Sequence, residues 1–214
     1  MSNQEIADLC IMTGFKQAVK KEIIYFAGEP IRYIYFLKKG IIKICQTDER
    51  GNEIIKDIIK AGDLFGELSL DANGENHEYA EALSNEVVIC KFKLEDFENV
   101  LEHNPNIALR FTKIIGFRFK RLENRYSNLV FKDVRSRVIA FLRDWADREG
   151  QPAGNQTLLE NYLTQEDIAK LVCSTRQSVA EVLGELEKEG LLKYGRKEIA
   201  LVNEKIFTTE ANKL

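Results

Sequence analysis

The sequence, 214 residues long, lacks the features that mark several protein classes. No apolar run is long enough to cross a bilayer, and no basic patch precedes a hydrophobic stretch at the N-terminus, as in a secretory signal. We therefore expect a cytoplasmic protein with no membrane partner. The four cysteines, Cys10, Cys45, Cys90 and Cys173, form no Cys-x-x-Cys pair. That scatter argues against a zinc ribbon or a disulfide framework and favours isolated buried thiols.

Catalytic patterns and basic charge are also scarce. The chain has no Ser/His/Asp or Cys/His arrangement, no phosphate-cradling Gly-Lys-Ser loop and no histidine metal pair, so we expect neither an enzyme nor a metal site. The formal net charge is −3, and acidic residues outnumber basic ones even from Asp133 onward. Any contact with nucleic acid must therefore depend on a local cluster of basic residues.

Two short helices with a tight turn between them are predicted for residues 164–190. Thr164 and Asp167 have the spacing of a capping box, and Ser174 with Gln177 repeats this helix-start signal a few residues later. Apolar residues at helical spacing are Ile168, Leu171 and Val172 in the first helix and Val179, Val182, Leu183 and Leu186 in the second. This pattern is typical of a helix-turn-helix, whose second helix enters the major groove of DNA.

The residues that follow favour a winged helix-turn-helix over a helical core with a capped surface helix. Residues 191–194 and 199–202 predict two short strands around a turn at Gly195 and Arg196. Side chains off the apolar stripe of the second helix can contact base edges, and neighbouring cations can contact phosphates. The predicted DNA-binding residues are Lys170, Thr175, Arg176, Gln177, Ser178, Glu181, Lys193 and Arg196.

The first hundred residues predict short strands instead. Gly28, Gly40, Gly51 and Gly62 recur every eleven or twelve residues, and each closes a β-rich segment, as in an all-β barrel or roll. Around Gly51, residues 48–52 predict a hairpin tip.

Residues 62–68 form a second turn with two glycines, which let the backbone approach a neighbour or a ligand closely. Two interpretations of this turn stay open. It either closes the roll or places a carboxylate beside the turn where it can hold a sugar hydroxyl.

The longest helical signal lies between these two regions. Asn104 and Pro105 provide a cap and a proline at the first helical position, and the next proline is Pro152. A helix from Pro105 to about Phe131 would be roughly 40 Å long. Its apolar seam packs either within its own domain or, as we favour, against a second copy in a parallel homodimer. The predicted seam residues are Ile107, Phe111, Ile114, Ile115, Arg118, Leu122, Tyr126 and Leu129.

The order of these parts resembles the CRP/FNR family of bacterial transcription regulators. The resemblance rests on the spaced glycines, the GDLFGELSL turn, the NPNI helix start and the STRQSVAEVL helix, and it covers nearly the whole chain. It implies an α+β fold with three parts: an N-terminal β-roll of the double-stranded β-helix or jelly-roll type, a long dimerisation helix and a C-terminal winged helix-turn-helix. We place these parts at residues 1–103, 104–132 and 133–214.

The resemblance also implies a homodimer that binds a palindromic site in double-stranded DNA, a β-roll that senses a signal, and RNA polymerase as a partner. Arg176 matches the family's guanine-reading arginine, and Ser178 matches a residue that contacts phosphate. Gln177 replaces a common glutamate, and Glu181 stands where a base-reading arginine is common. We therefore expect a half-site sequence that differs from the usual one.

The sensor half departs from the family members that bind cyclic AMP. Those members hold the cyclic phosphate with an Arg-Ser pair, whereas His77, Glu78 and Tyr79 stand in that region here, and Leu122 and Glu123 replace hydroxyl residues near adenine. Because Glu78 would repel a phosphodiester, we expect no binding of cyclic AMP. The candidate effector pocket comprises Phe65, Gly66, Glu67, Leu68, Ser69, His77, Glu78, Tyr79, Leu122 and Glu123.

The cofactor and the effector stay unassigned. Iron–sulfur members need a cluster of cysteines near the N-terminus, whereas only Cys10 precedes Cys45, and a haem would need an axial ligand from His77 or His103. An unidentified small molecule, a redox or nitrosative signal, and no ligand at all stay open. The alternative functions are a cyclic-nucleotide-responsive activator, an enzyme or signalling subunit controlled by the β-roll, and a β-roll interaction module.

Overall fold

A computed structural model describes residues 15–26, 33–66 and 78–202. The chain divides into two compact units, Met1–Phe119 and Lys120–Leu214. Within the described ranges, no helix combines the length and the apolar character that a membrane span requires.

The first unit contains two antiparallel sheets. Its described strands are β1 (Phe15–Ala18), β2 (Ile23–Phe26), β3 (Tyr33–Lys39), β4 (Ile41–Thr47), β5 (Glu53–Lys60), β6 (Leu64–Gly66), β7 (Glu78–Ala82) and β8 (Val87–Lys93). One sheet has the strand order β1-β8-β3-β6 and the other β2-β7-β4-β5. This arrangement confirms the predicted β-roll. The tip of the β4–β5 hairpin also lies where it was predicted, with Gly51 at a φ of +81° and the Asp48 carboxylate accepting from the amide of Asn52.

Apolar side chains of the two sheets meet between them and form the core of the roll. The buried members of this core are Ala18, Ile24, Leu37, Ile42, Ile44, Ile59, Phe65, Ala80, Ala82, Val87 and Ile89. The face of a strand that carries these residues is therefore its inner face. This assignment fixes which side chains of β7 point into the roll.

Helices cover the outer side of the first sheet. Helix α1 (Leu94–His103) and the start of α2 (Pro105–Phe131) pack on Ile34 and Phe36 of β3 in a second apolar cluster. In this cluster the rings of Phe97 and Phe111 meet edge to face, with centroids 5.3 Å apart. Helix α2 begins and ends where the sequence predicted.

The second unit contains the end of α2 and a winged helical domain. Its other elements are α3 (Val134–Glu149), β9 (Gln151–Ala153), β10 (Gln156–Glu160), α4 (Gln165–Leu171), α5 (Arg176–Lys188), β11 (Leu192–Tyr194) and β12 (Glu198–Leu201). The four strands form one sheet in the order β11-β12-β10-β9. The sequence did not predict the β9–β10 hairpin because its first strand, Gln-Pro-Ala, is short and exposed and lacks an apolar alternation.

Only Lys132 and Asp133 separate α2 from α3. The Asp133 carboxylate caps α3 by accepting from the amide of Ser136 at 2.8 Å, and this hydrogen bond lowers the pKa of Asp133 below its ordinary value. The junction between the two helices is therefore short and capped.

Candidate DNA-binding surface and effector region

Helix α4 begins at the predicted capping box. The amide of Asp167 donates to Thr164 Oγ1 at 3.1 Å, and the amide of Thr164 donates to Asp167 Oδ2 at 3.0 Å. Ile168 and Leu171 are buried on one face of this short helix, as predicted. The reciprocal cap satisfies two backbone donors at the helix start and fixes where α4 begins.

Helix α5 begins one residue later than predicted. Its N-cap is Thr175, whose Oγ1 accepts from the amide of Ser178 at 3.1 Å, and not Ser174. The predicted start is wrong because the chain is still turning at that point: Cys173 has a left-handed φ of +52°, and the Ser174 amide donates back to Ala169.

One face of α5 is buried and the other is exposed. The buried residues are Val179, Val182, Leu183 and Leu186, as predicted. Arg176, Gln177 and Glu181 are exposed. Gln177 Nε2 donates to Glu181 Oε1 at 3.0 Å, so these side chains hold each other in place one turn apart. Arg176 is the first helical residue, in the turn that such helices direct at base edges.

Two hydroxyl groups lie together at the start of α5. Thr175 Oγ1 and Ser178 Oγ are 2.9 Å apart. Helix starts carry unpaired amides and the positive end of the helix dipole. This end of α5 therefore suits a phosphate group.

The wing is a short antiparallel hairpin that is tied to the helices. Asn161 Nδ2 donates to the carbonyl of Gly195 in its turn at 2.8 Å. The amide of Tyr194 donates to Glu187 Oε1 of α5 at 2.7 Å. These bonds hold the wing beside α5.

The predicted cations differ in their surroundings. Lys193 on β11 and Arg196 in the wing turn are exposed. Lys170 on α4 is half-buried, and its Nζ lies 3.9 Å from Glu166 Oε1. The two wing cations are therefore the better placed to meet phosphates.

The long helix does not present the predicted seam as one face. Ile107 is only 8% exposed, Phe111 packs on Phe97, and Arg118 Nη2 donates to the carbonyl of Leu64. Ile107, Phe111 and Arg118 are therefore engaged within the first unit, to which all three belong. This corrects the predicted seam, in which they faced a second copy.

Four of the other predicted residues lie on an outward face: Ile115, Leu122, Tyr126 and Leu129. Phe119, which is not among the predicted seam residues, is 61% exposed, and Leu122 is 62% exposed. Ile114 is half-buried beside this face. Residues spaced alternately by four and three along this face form what we call the exposed seam: the half-buried Ala108 and the exposed Thr112, Ile115, Phe119, Leu122, Tyr126 and Leu129. This spacing is the heptad repeat of a coiled coil.

In the first unit, three aromatic rings stack at the predicted effector region. The ring centroids of Tyr25 and Tyr35 are 5.3 Å apart, and those of Tyr35 and Phe65 are 5.1 Å apart. Of these three rings, the sequence predicted only Phe65, because Tyr25 and Tyr35 lie on β2 and β3, far away in the chain. No local pattern indicates that these rings meet.

The backbone approaches closely at Gly66, as predicted. Gly66 has a φ of +116°, and a Cβ atom there would lie 2.7 Å from the carbonyl oxygen of Tyr33. The predicted pocket residues Glu67, Leu68, Ser69 and His77 lie outside the described residues.

Glu78 points to the inner side of the roll, since it shares a face of β7 with the core residue Ala80. Tyr25 Oη donates to Glu78 Oε1 at 2.7 Å, and Lys56 Nζ donates to Glu78 Oε2 at 2.6 Å. The Glu78 side chain is 11% exposed. The chain's own groups therefore satisfy a nearly buried carboxylate at this site.

Tyr79 lies on the opposite face of β7, which corrects its predicted place in the pocket. Its Oη donates to Glu53 Oε2, and its neighbour Cys45 is fully buried. Burial raises the pKa of the Cys45 thiol to about 12, and burial together with the Glu53 hydrogen bond raises the pKa of Tyr79 above its ordinary value. Strand alternation sends neighbouring residues to opposite faces, so Glu78 and Tyr79 cannot line one pocket together.

The last two predicted pocket residues, Leu122 and Glu123, belong to the part of α2 in the second unit. Leu122 is on the exposed seam, and Glu123 Oε2 lies 3.3 Å from Lys120 Nζ of the same helix. Their surroundings therefore indicate a helix surface.

The cysteines differ from the prediction of isolated buried thiols. Cys45 is a buried free thiol, but Cys173 is exposed, and the buried Cys90 is disulfide-bonded. Among the described residues, no group of His, Cys, Asp and Glu side chains could hold a metal ion.

Comparison with known proteins identifies both parts of the chain. Residues 15–104 match the family of cyclic nucleotide-binding domains, and residues 136–206 match the Crp-like helix-turn-helix domain. The global nitrogen regulator of Nostoc sp. strain PCC 7120 is 26% identical over 183 residues, which cover 85% of this chain and 82% of that protein. The CRP-like cAMP-activated global transcriptional regulator of Mycobacterium tuberculosis is 28% identical over 178 residues, or 83% and 79% of the two chains.

Solved structures support the same fold. A mutant of CooA from Carboxydothermus hydrogenoformans superposes with a TM-score of 0.84 at 23% identity, over 96% of this chain and 90% of that one. A transcriptional regulator of the CRP/FNR family from Thermus thermophilus superposes with a TM-score of 0.70 at 22% identity, over 94% and 99%. The matched helix-turn-helix domain is of the Crp type, and both relatives are transcription regulators and not enzymes. The chain thus belongs to the CRP/FNR family of transcription regulators, with a β-roll of the cyclic nucleotide-binding type and a C-terminal helix-turn-helix that binds DNA.

Proposed function

We propose that the protein is a homodimer that binds a palindromic DNA site through α5, and that its β-roll does not bind cyclic AMP. The observation that carries the proposal is the first turn of α5, where Arg176 and Gln177 are exposed on a helix whose other face is buried. Arg and Gln side chains offer the paired donors and acceptors that match guanine and adenine edges in the major groove. Thr175 and Ser178 would contact phosphate beside them.

The exposed seam supports the homodimer. Large apolar side chains spaced as a heptad on a water-exposed helix face are costly unless a partner covers them. A second copy brings the same seam and pairs with it about a two-fold axis, so each bound half-site would mirror the other. The proposal includes RNA polymerase as a further partner, because a bound regulator changes transcription only by helping or hindering that enzyme nearby.

Selection of bound duplexes from random DNA tests the proposal directly. We expect the selected sequences to share a palindrome whose half-sites are about one helical turn apart. Sedimentation of the complex should give two chains per duplex. Selection of unrelated sequences, or binding that does not depend on sequence, would contradict the proposed function.

Substitution of the wing cations should weaken binding without changing its sequence preference. Phosphate contacts carry no sequence information, so Lys193→Ala and Arg196→Ala should lower the affinity for selected and random duplexes alike. The slope of log affinity against log salt should fall by about 0.9 for each phosphate contact removed. Lys188→Ala, an exposed cation at the far end of α5, is the control. Unchanged salt slopes in both wing variants would place the wing away from the phosphates.

Cyclic AMP should not bind, because the cation beside Glu78 is already paired. A phosphodiester on the inner face of β7 would have to compete with Glu78 for Lys56, and it would bring a second negative charge against a carboxylate that is 11% exposed. We expect no heat of binding in calorimetry at submillimolar cyclic AMP and no gain in DNA affinity. A ligand shifts an equilibrium only through its different affinities for the two states, so failure to bind implies failure to activate.

Two variants distinguish a β-roll that does not bind cyclic AMP from one that does. Glu78→Gln releases Lys56 and removes the repulsion, so it should bind cyclic AMP more tightly than the wild type does. A micromolar dissociation constant in the wild type, lost in Glu67→Ala, would contradict the prediction and favour a cyclic-nucleotide-responsive activator.

A further inference from the structure

Two arginines donate to the carbonyl groups at the end of α4. Arg125 Nη2, on α2, donates to the carbonyl of Leu171 at 3.0 Å. Arg137 Nε, on α3, donates to the carbonyl of Val172 at 2.9 Å, and its Nη2 donates to that of Cys173 at 3.3 Å. All five residues belong to the second unit. We call Arg125 and Arg137 the arginine clamp.

The end of a helix is where such a clamp is most effective. The last carbonyls of a helix have no amide partner further along it, and they carry the negative end of the helix dipole. A guanidinium supplies a positive charge and a rigid fork of donors, which a lysine cannot reproduce. Arg137 uses this fork fully, because its Nη1 also donates to the carbonyl of Lys132, just after α2, at 3.0 Å. One side chain thereby links the end of α2 to the turn of the helix-turn-helix.

The carbonyls that the clamp binds belong to the segment that orients α5, the proposed recognition helix. Val172 and Cys173 lie between α4 and the N-cap Thr175 of α5, and Cys173 has the left-handed φ that turns the chain. A residue in that conformation persists when its surroundings fix it. Arg125 comes from the stretch of α2 that also carries Leu122 and Leu129 of the exposed seam. The Arg125 side chain therefore links the part of α2 that carries the exposed seam to the end of α4. The segment after α4 leads directly into α5, the proposed recognition helix.

We infer that the arginine clamp consists of positioning residues that lock the helix-turn-helix to the dimerisation helix and so set the separation of the two recognition helices. The inference rests on the proposed function, since it needs a dimer on a palindrome. A rigid link makes the dimer selective for one spacing of the half-sites, whereas a loose link lets each recognition helix adjust. Because both arginines donate to backbone carbonyls of their own chain, we expect an isolated half-site to be bound as well without the clamp.

The test compares spacing selectivity in Arg125→Ala with that of the wild type. The probes are the selected palindrome, the same palindrome with one base pair added or removed between half-sites, and a single half-site. The wild type should prefer the selected spacing, and Arg125→Ala should lose about tenfold of that preference while it binds the half-site normally. Arg125→Lys, which keeps a charged donor, should restore part of the preference. Lys120→Ala is the matched control, because Lys120 pairs with Glu123 within α2.

Hydrogen exchange gives a second readout. The amides of residues 172–175 should exchange faster in Arg125→Ala and at the wild-type rate in Lys120→Ala. If Arg125→Ala does not fold, Arg125→Met keeps the length of the side chain, removes the donors and takes its place in the same comparison. Unchanged spacing preference in a folded variant, or equal losses on the half-site and the palindrome, would overturn the inference alone. A wild type that selects no palindrome would overturn the proposed function and this inference with it.

Discussion

Leu122→Lys is expected to convert the dimer largely to monomer at micromolar protein. Leu122 is 62% exposed and lies near the middle of the exposed seam, between Phe119 and Tyr126. In a parallel pair of helices, the two copies of residue 122 would face each other across the two-fold axis. The substitution would place two unpaired cations in that contact and remove two apolar anchors. We expect the dissociation constant of the dimer to rise about a hundredfold or more.

Sedimentation equilibrium measures this change directly. Phe117→Lys is the matched control, since Phe117 is 74% exposed on the same helix and lies off the exposed seam. That control should stay dimeric. An unchanged dimer in Leu122→Lys, or a wild-type monomer at micromolar concentration, would rule out the exposed seam as the main interface. The first result would also require another contact to hold the two copies together.

Arg176→Ala is expected to weaken binding to the selected palindrome by about 1 to 3 kcal/mol and to relax the preference at one position of each half-site. The physical reason is the pair of hydrogen bonds that a guanidinium makes with guanine O6 and N7. Arg176 is exposed in the first turn of α5. Within the part of the chain that the structure describes, it forms no ion pair. Its guanidinium is therefore available to a base edge.

Competition binding with duplexes that carry each base at the affected position measures the loss of preference. Arg176→Lys is the informative companion, because it keeps the positive charge but loses the paired donors. We expect Arg176→Lys to retain affinity for random DNA and to lose discrimination at the guanine. Equal losses on selected and random duplexes in Arg176→Ala would assign Arg176 to phosphate contact.

Local signals determined much of the fold. The capping box of Thr164 and Asp167, the bounds of α2 at Pro105 and Phe131, and the hairpin tip at Gly51 depend on hydrogen bonds and backbone angles within a few residues. Residue types at fixed short spacings in the sequence predict such interactions directly. A local signal can also be off by one position, as at Ser174, where Thr175 offers the same hydroxyl cap.

The exposed seam shows what helical spacing leaves open. The spacing of α2 shows which residues share a face, but it does not show what lies opposite that face. Ile107 is buried and Phe111 packs in the apolar cluster of the first unit, whereas Phe119 and Leu122 face outward. Both sets are apolar and similarly spaced. Only packing within the first unit therefore distinguishes the buried residues from those that face outward.

Contacts between residues far apart in the chain were decided by the tertiary structure alone. Tyr25 meets Glu78, and Arg137 meets Cys173, across 53 and 36 residues. Such pairs leave no periodic signal, because the strands and helices that bring them together are placed by the burial of the whole core and not by either partner. The sequence by itself therefore determined the order of the parts and the recognition helix. The tertiary structure decided which side chains satisfy the carboxylate of Glu78, which face of α2 is outward, and how the helix-turn-helix is held to α2.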